Sequence, residues 1–271
     1  MDEMVKKIKV ILLSFLTFSI FTNGCNGMKI SSEKIHKQIE VAPNTFLTVE
    51  NINGSIFVEV SENKKVVIRI EKKSYFGYRE LKKVDIKFSK SENNLDIKTN
   101  ILDSEANVSI DYFIQVPSNI FVSNLVSRNG NITIKKTKGD IVAKTTNGSI
   151  FFEKVDGWIS GFTQNGTVKA FNVTGVKEIQ TTNGAVDCEI LNLPQDGTRI
   201  TTNNANINII ILSNKGMFLD LATSNGSIIT KNLDEIVITK TNTFYKSKIK
   251  EGGKTIFVKT ENGNIHITKQ N

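Results

Sequence analysis

Three carboxylates, Glu153, Asp187 and Glu189, stand at alternating positions in short apolar stretches. Polysaccharide lyases and hydrolases cluster such groups on one exposed sheet for acid and base chemistry. Here they are interleaved with Lys135, Lys169, Phe151 and Phe171, a pattern that fits paired surface charges better than catalysis. Cys188 lies between two of them, at a position equivalent to Ile134 and Phe152, so it reads as a small buried apolar residue and not as a nucleophile. His266 falls on the outward side of a late strand and His36 in a segment before the first strands, with no motif to bring either near the thiol. Zinc spacing, an Asp-rich calcium repeat and a Gly-rich phosphate loop are all missing from the sequence. The expectation is no catalytic residue, no cofactor-binding residue and no metal ligand, hence not an enzyme and no small-molecule substrate.

Lys246, Lys248 and Lys250 set three ammonium groups on one strand face, followed by Lys254 and Lys259. They could meet an anionic envelope polymer or lipid headgroups. Lysines on a terminal strand also prevent sheets from associating, and edge protection is the favoured reading. The net charge of +8 rests on lysines dispersed among many Ile and Asn, with only Arg69, Arg79, Arg128 and Arg199 as arginines. That dispersal gives no basic stripe, and a nucleic-acid partner is not expected. With 39% hydrophobic and 23% charged residues, the 271-residue chain is globular, and two cysteines exclude a disulfide-stapled scaffold.

Lys6, Lys7 and Lys9 precede an apolar and hydroxyl run from Val10 to Phe21, closed by Thr22-Asn23-Gly24-Cys25. A basic stretch, a short apolar core and a small residue before the cut describe a secretory signal peptide. The run is shorter than the ~20 residues of a membrane span. Gly24 before Cys25 resembles a lipobox, which makes Cys25 the expected lipidation site and the protein an exported, membrane-anchored lipoprotein. Simple cleavage at the same bond would leave it secreted.

What must position the outward residues is a repeat. Gly130, Gly139, Gly148, Gly157, Gly166, Gly175 and Gly184 are spaced by nine residues each time. Alternate members carry Thr-x-Asn-Gly-x-(Ile/Val), at Asn147-Gly148, Asn165-Gly166 and Asn183-Gly184. Asn129-Gly130 precedes them, Asn204-Ala205 departs from the pattern, and Asn225-Gly226 and Asn262-Gly263 resume it. The unit is therefore 18 residues, lengthening to 21 in the steps from 183 to 204 and from 204 to 225. After each glycine the second and fourth residues are apolar, as in Ile132 and Ile134 or Val168 and Ala170, the period of a half-buried strand. The Asn-Gly pairs are expected to supply left-handed backbone at the corners.

An antiparallel meander and a β-solenoid both produce such a pattern. In a meander, residues 18 apart lie two strands apart, roughly 9 to 10 Å; in a solenoid they stack at about 4.8 Å. Only direct stacking rewards identity, because repeated Asn and Thr then form ladders. Opposite charges on neighbouring rungs, Glu153 with Lys135 and Asp187 with Lys169, favour the solenoid too.

The segment from 41 to 128 alternates as strands without the period, although Asn53-Gly54-Ser55-Ile56 already carries the motif. Together with Val116-Pro117, Ser127 to Ile132 and the later repeats, these residues resemble the bacterial DUF4097 family of adhesin-like exported and envelope proteins. The resemblance covers roughly 41–271 and implies a right-handed β-solenoid with no catalytic residues. The expected organisation is a signal peptide over 1–24, a tether over 25–40, an irregular β-rich region over 41–128 and a repetitive solenoid of 18–21-residue coils over 129–271. Lys177 and Ala205, where an apolar residue and glycine are expected, predict local irregularity. The functional expectation is a non-catalytic envelope or surface module for binding or scaffolding, with an anionic envelope polymer or a surface protein as partner. Envelope-stress sensing through a membrane protein is the alternative, and a polysaccharide-active enzyme comes third.

Overall fold

The structure, a computed structural model, describes residues 30–270; the expected signal peptide over 1–24 and the expected lipidation site Cys25 lie outside the described residues. It is all-β. The first part holds β1 (Ser31–Ile39), β2 (Phe46–Glu50), β3 (Ile56–Val60), β4 (Val66–Ser74), one helical turn α1 (Tyr78–Leu81), β5 (Val84–Lys90), β6 (Asn94–Ile101) and β7 (Ser109–Val116). The periodic part follows as β8 (Phe121–Asn129), β9 (Ile132–Lys135), β10 (Ile141–Asn147), β11 (Ile150–Glu153), β12 (Trp158–Phe162), β13 (Val168–Phe171), β14 (Gly175–Gln180), β15 (Val186–Ile190), β16 (Thr198–Thr201) and β17 (Ile207–Ile211). The chain ends with β18 (Met217–Thr223), β19 (Ile228–Lys231), β20 (Glu235–Lys240), β21 (Phe244–Ile249), β22 (Lys254–Thr260) and β23 (Ile265–Lys269).

Two sheets share one core. The eleven-stranded sheet runs β1-β4-β7-β3-β9-β11-β13-β15-β17-β23-β19, and the twelve-stranded one β20-β21-β18-β22-β16-β14-β12-β10-β8-β2-β6-β5. From β8 to β17 the chain passes alternately between them, so each round trip adds one parallel strand to each sheet. Ile150 pairs with Ile132 and with Val168, so residues 18 apart are direct neighbours, as stacking requires. The inward residues Ile132, Ile134, Ile150, Phe152, Val168, Ala170, Val186 and Cys188 are all buried.

At the repeat motif the two constraints are backbone proximity and amide pairing. A Cβ on Gly148 would stand 2.1 Å from the Gly130 carbonyl oxygen, on Gly166 1.9 Å from that of Gly148, and on Gly184 1.8 Å from that of Gly166. Those glycines do not have positive φ, which corrects the expectation of left-handed Asn-Gly corners. Glycine is required because the next layer's carbonyl occupies the space a methyl would fill. In these layers left-handed backbone falls on Lys136, Lys154 and Asn172, also 18 apart, at the corner after β9, β11 and β13, and on Gly139. Beside the glycines the asparagine amides form one continuous ladder. Each Nδ2 donates to the Oδ1 of a neighbouring layer, from Asn129 to Asn53 (2.6 Å), Asn147 to Asn129 (2.7 Å), Asn165 to Asn147 (2.8 Å) and Asn183 to Asn165 (2.8 Å). The hydroxyls do not bond one another. Thr145, Thr163 and Thr181, all buried, donate instead to the carbonyls of Gly130, Gly148 and Gly166 at 2.9 to 3.0 Å.

The irregularities have local causes. Lys177 is bulged out between Val176 and Glu178, and its ammonium lies 2.7 Å from Asp140. Ala205 keeps its layer in the stack, since Asn204 donates to Asn183 at 2.8 Å; three extra residues are taken up in the longer connection between β15 and β16. The ladder then leaves chain order. Asn262 donates to Asn204 at 2.7 Å and Asn225 donates to Asn262 at 2.8 Å, so β22 and β23 sit between the layers that contain β16–β17 and β18–β19. A one-dimensional repeat cannot reveal that reordering, because all three layers carry the same motif.

Residues 31–39, read from sequence as part of the tether, form β1, antiparallel to β4 at the sheet edge. Two isoleucines in nine residues gave too weak an alternation to show it. Its register places Glu33 beside Lys72, whose buried ammonium is 3.1 Å from the carboxylate.

Gly166→Ala is expected to lower stability by about 1–3 kcal/mol, since the added methyl must displace backbone. Asn165→Ala, at an exposed rung that water can partly replace, should cost about 1 kcal/mol, and Lys169→Ala less than about 0.5 kcal/mol. Chemical denaturation of the three variants checks the ranking; equal losses for Gly166→Ala and Lys169→Ala would contradict the packing argument.

Candidate functional site: the outward face of the eleven-stranded sheet

Strand pairing turns residues scattered through the sequence into a straight row. Following the register across the sheet, the outward residues are His36, Arg69, Phe113, Phe57, Thr133, Phe151, Lys169, Asp187, Asn208, His266 and Ile229. A second row runs Gln115, Glu59, Lys135, Glu153 and Phe171. Neighbouring strands are about 4.8 Å apart, so the eleven-residue row extends roughly 50 Å.

Aromatic rings occupy its middle. Phe57 and Phe113 have centroids 6.5 Å apart, and Phe113 is 48% exposed. Phe151 and Phe171 meet edge to face at 6.4 Å, with the Lys135 ammonium 5.4 Å from the Phe151 centroid. Beside the first pair, Arg69 donates to Gln115 Oε1 (3.4 Å) and Gln115 Nε2 donates to Glu59 Oε1 (3.2 Å). Phe57, Phe113, Arg69, Gln115 and Glu59 thus line a shallow groove of about 300 Å³ with an apolar floor and a polar flank. A second groove of similar size, lined by Asn51, Arg128, Lys144 and Thr146, lies at the junction with the irregular part.

The carboxylates considered for chemistry are each engaged. Glu153 lies 3.0 Å from Lys135, which holds its carboxyl below the usual range. Asp187 is 3.5 Å from Lys169 and accepts from Asn208 Nδ2 at 2.7 Å. Glu189 accepts from the Asn172 backbone N–H at 2.8 Å. Both opposite-charge rungs read from the sequence are therefore present. Cys188 is buried between Ala170 and Ile209, and its thiol is pushed up by desolvation and then by the charges of Asp187 and Glu189. His36 and His266 stand far apart in the same row, nine strand positions from each other. No group of three or more His, Cys, Asp or Glu side chains suited to a metal occurs among the described residues. Among them, too, no helix is long and apolar enough to cross a membrane.

The lysine stripe requires a correction. Lys246 and Lys248 lie on β21, which is flanked by β18 and β20 and is not an edge. Lys246 is 3.2 Å from Asp220, and Lys250 donates to the Asn214 carbonyl at 2.7 Å. Two of the three ammonium groups, those of Lys246 and Lys250, thus have partners within the chain. The sequence could indicate Phe151 and Phe171 as outward residues, but it could not place Phe57, Phe113 and Arg69 beside them, because β3, β4 and β7 enter the sheet out of chain order.

No family model matches the chain. No curated protein matches it either. Among solved structures it is similar to a putative cell adhesion protein from Clostridium sporogenes ATCC 15579, with 14% identity over 89% of this chain and 100% of the other and a TM-score of 0.38. A putative adhesin from Bacteroides fragilis NCTC 9343 aligns at 14% identity over 88% and 97% of the two chains, with a TM-score of 0.37. A putative lipid binding protein from Parabacteroides distasonis ATCC 8503 aligns at 9% identity over 89% and 97%, with a TM-score of 0.24.

Burial of Cys188 predicts that a water-soluble thiol reagent leaves it unmodified in the native protein at neutral pH and labels it fully in denaturant. Peptide mass mapping reads this residue separately from Cys25; rapid native labelling would mean that the layer opens.

Proposed function

We propose that the chain is a non-catalytic, exported envelope or surface module of the DUF4097 adhesin-like type. Its layers are read as the coils of a right-handed β-solenoid, and its outward eleven-stranded face as the surface that holds an extended partner. The observation that carries this reading is the row Phe113, Phe57, Thr133 and Phe151, three aromatic rings in four successive strands, flanked by Arg69, Gln115, Glu59 and Lys135 on a single sheet. Hydrogen bonds along every strand fix the order of those side chains, so a partner with a repeating outline meets a preorganised array. Aromatic surface binds apolar ring faces, and the amide, guanidinium and carboxylate beside it can exchange hydrogen bonds with hydroxyls. The chemistry fits an envelope glycan better than a strongly anionic polymer, because charges of both signs alternate along the face. Lysines 246, 248 and 250 remain the competing contact for an anionic polymer.

The location completes the reading. Lipid on Cys25 would hold the module at a bacterial membrane, with the short stretch before β1 as spacer. Metabolic palmitate labelling should mark the wild-type chain and not Cys25→Ala; equal labelling of both, or wild-type protein found wholly in the medium, contradicts the anchor.

Binding to isolated envelope glycan should fall at least about tenfold in Phe57→Ala/Phe113→Ala, the loss expected when anchor side chains worth about 1.4 kcal/mol or more are removed. Melting temperature should change little, since both rings are outward. Neutralising Lys246, Lys248 and Lys250 together should leave this binding nearly unchanged and insensitive to salt. Retained binding in the phenylalanine variant, with steep salt dependence lost on lysine neutralisation, would move the site to the lysines. Capture of one protein species in place of the glycan would support a regulatory partner.

A further inference from the structure

The four outer strands of the two sheets are unequal. At one end, β1 exposes Ser32, Lys34, His36 and Gln38, and β5 exposes Asp85, Lys87, Ser89 and Lys90. Polar and charged side chains of this kind keep an open edge from pairing with another chain. At the other end, β20 exposes Ile236 (65%), Val237 (48%) and Ile238 (59%), and Ile229 on the neighbouring outer strand β19 is 41% exposed. Ile236, Val237 and Ile238 thus flank an unpaired row of backbone N–H and C=O groups on β20. Nothing among the described residues covers them.

We propose that this end is a self-association surface, on which β20 pairs antiparallel with β20 of a second copy across a two-fold axis. The strand reads Glu235-Ile236-Val237-Ile238-Thr239-Lys240. In an antiparallel pair centred on Val237 and Ile238, Glu235 of each copy faces Lys240 of the other, and Ile236 faces Thr239. Parallel pairing in register would set like charges side by side. The faces agree as well. Opposite β21, Glu235 and Lys240 pair with the inward residues Ile249 and Tyr245, while Ile236 and Thr239 pair with the outward residues Lys248 and Lys246. An extra residue around Ile238 bulges the strand at the centre of the proposed pair and keeps this parity at both ends. Glu235 Oε1 accepts from the Tyr245 hydroxyl, while Oε2 has no partner among the described residues. A side-chain rotation would offer that oxygen to the incoming Lys240 ammonium.

The contrast between ends also sets the assembly type. Joining β20 to β1 or β5 of another copy would produce an open filament, and the charged side chains of those strands oppose it. Joining β20 to β20 closes after two copies.

The test uses the purified full-length chain carrying Ile236→Cys and Thr239→Cys. Directly opposed antiparallel residues have Cα atoms about 4.5–5.5 Å apart, within the range a disulfide accepts. Mild oxidation should convert most of it to a covalent dimer, above the baseline set by Cys25 and Cys188 in the wild-type chain. Adding Val237→Lys, an exposed change that should leave the melting temperature unaltered, should lower the dimer yield at least tenfold. Sedimentation of the chain with its native β20 should show the same dimer without a cross-link. Dimer no greater than the wild-type baseline, dimer unaffected by Val237→Lys, or a ladder of species beyond two copies would each overturn the proposal.

Discussion

The backbone contact between successive Asn-Gly turns is the constraint on which the rest of the stack depends. With a carbonyl oxygen standing where the next glycine's Cβ would be, the layers come close enough for the Asn amides to meet at 2.6 to 2.8 Å and for each buried threonine to reach the glycine carbonyl of its neighbour. The same approach fixes the register of the flanking strands. Because a one-residue slip would turn every core side chain to solvent, the turn and the apolar alternation enforce each other. Ile132, Ile150, Val168 and Val186 therefore stand directly above one another in the core.

Once register is fixed, the outward face is fixed with it, and freedom returns only in residue type. Thr133, Phe151, Lys169, Asp187 and Asn208 succeed one another at equivalent positions with no shared chemistry. The ion pairs from Lys135 to Glu153 and from Lys169 to Asp187 are partly exposed and contribute little to stability. Beside the first of them, the Lys135 ammonium also stands over the Phe151 ring.

The regular layers were legible in the sequence because their information is local: a glycine every nine residues, and apolar residues two and four positions later. Cys188 and the two charge rungs were placed on the correct side by that arithmetic alone. The aromatic groove was not legible, since Phe57, Arg69 and Phe113 become neighbours through the order β4-β7-β3 and not through any spacing. The left-handed corners also escaped notice. They fall on Lys136 and Lys154, which have no special propensity for positive φ, whereas the conspicuous Asn-Gly pairs use glycine for space. Likewise β1 carries too few apolar residues to announce itself, and its place depends on pairing with β4.

The insertion of β22 and β23 between earlier layers bears on how the molecule reaches its native state. During synthesis, β18 and β19 emerge while the positions beside β16 and β17 are still empty, and their Thr-x-Asn-Gly motif suits those positions as well as it suits the final ones. On the motif alone two arrangements suit the sequence, and they differ only in which layer is neighbour to which. Conversion of one to the other requires strands to separate before the later pair can enter, a barrier that local repeat energies do nothing to lower. The uniformity that makes the stack easy to extend therefore leaves the order of its last layers unspecified by the motif, and the reading order of the chain is not the order of its layers.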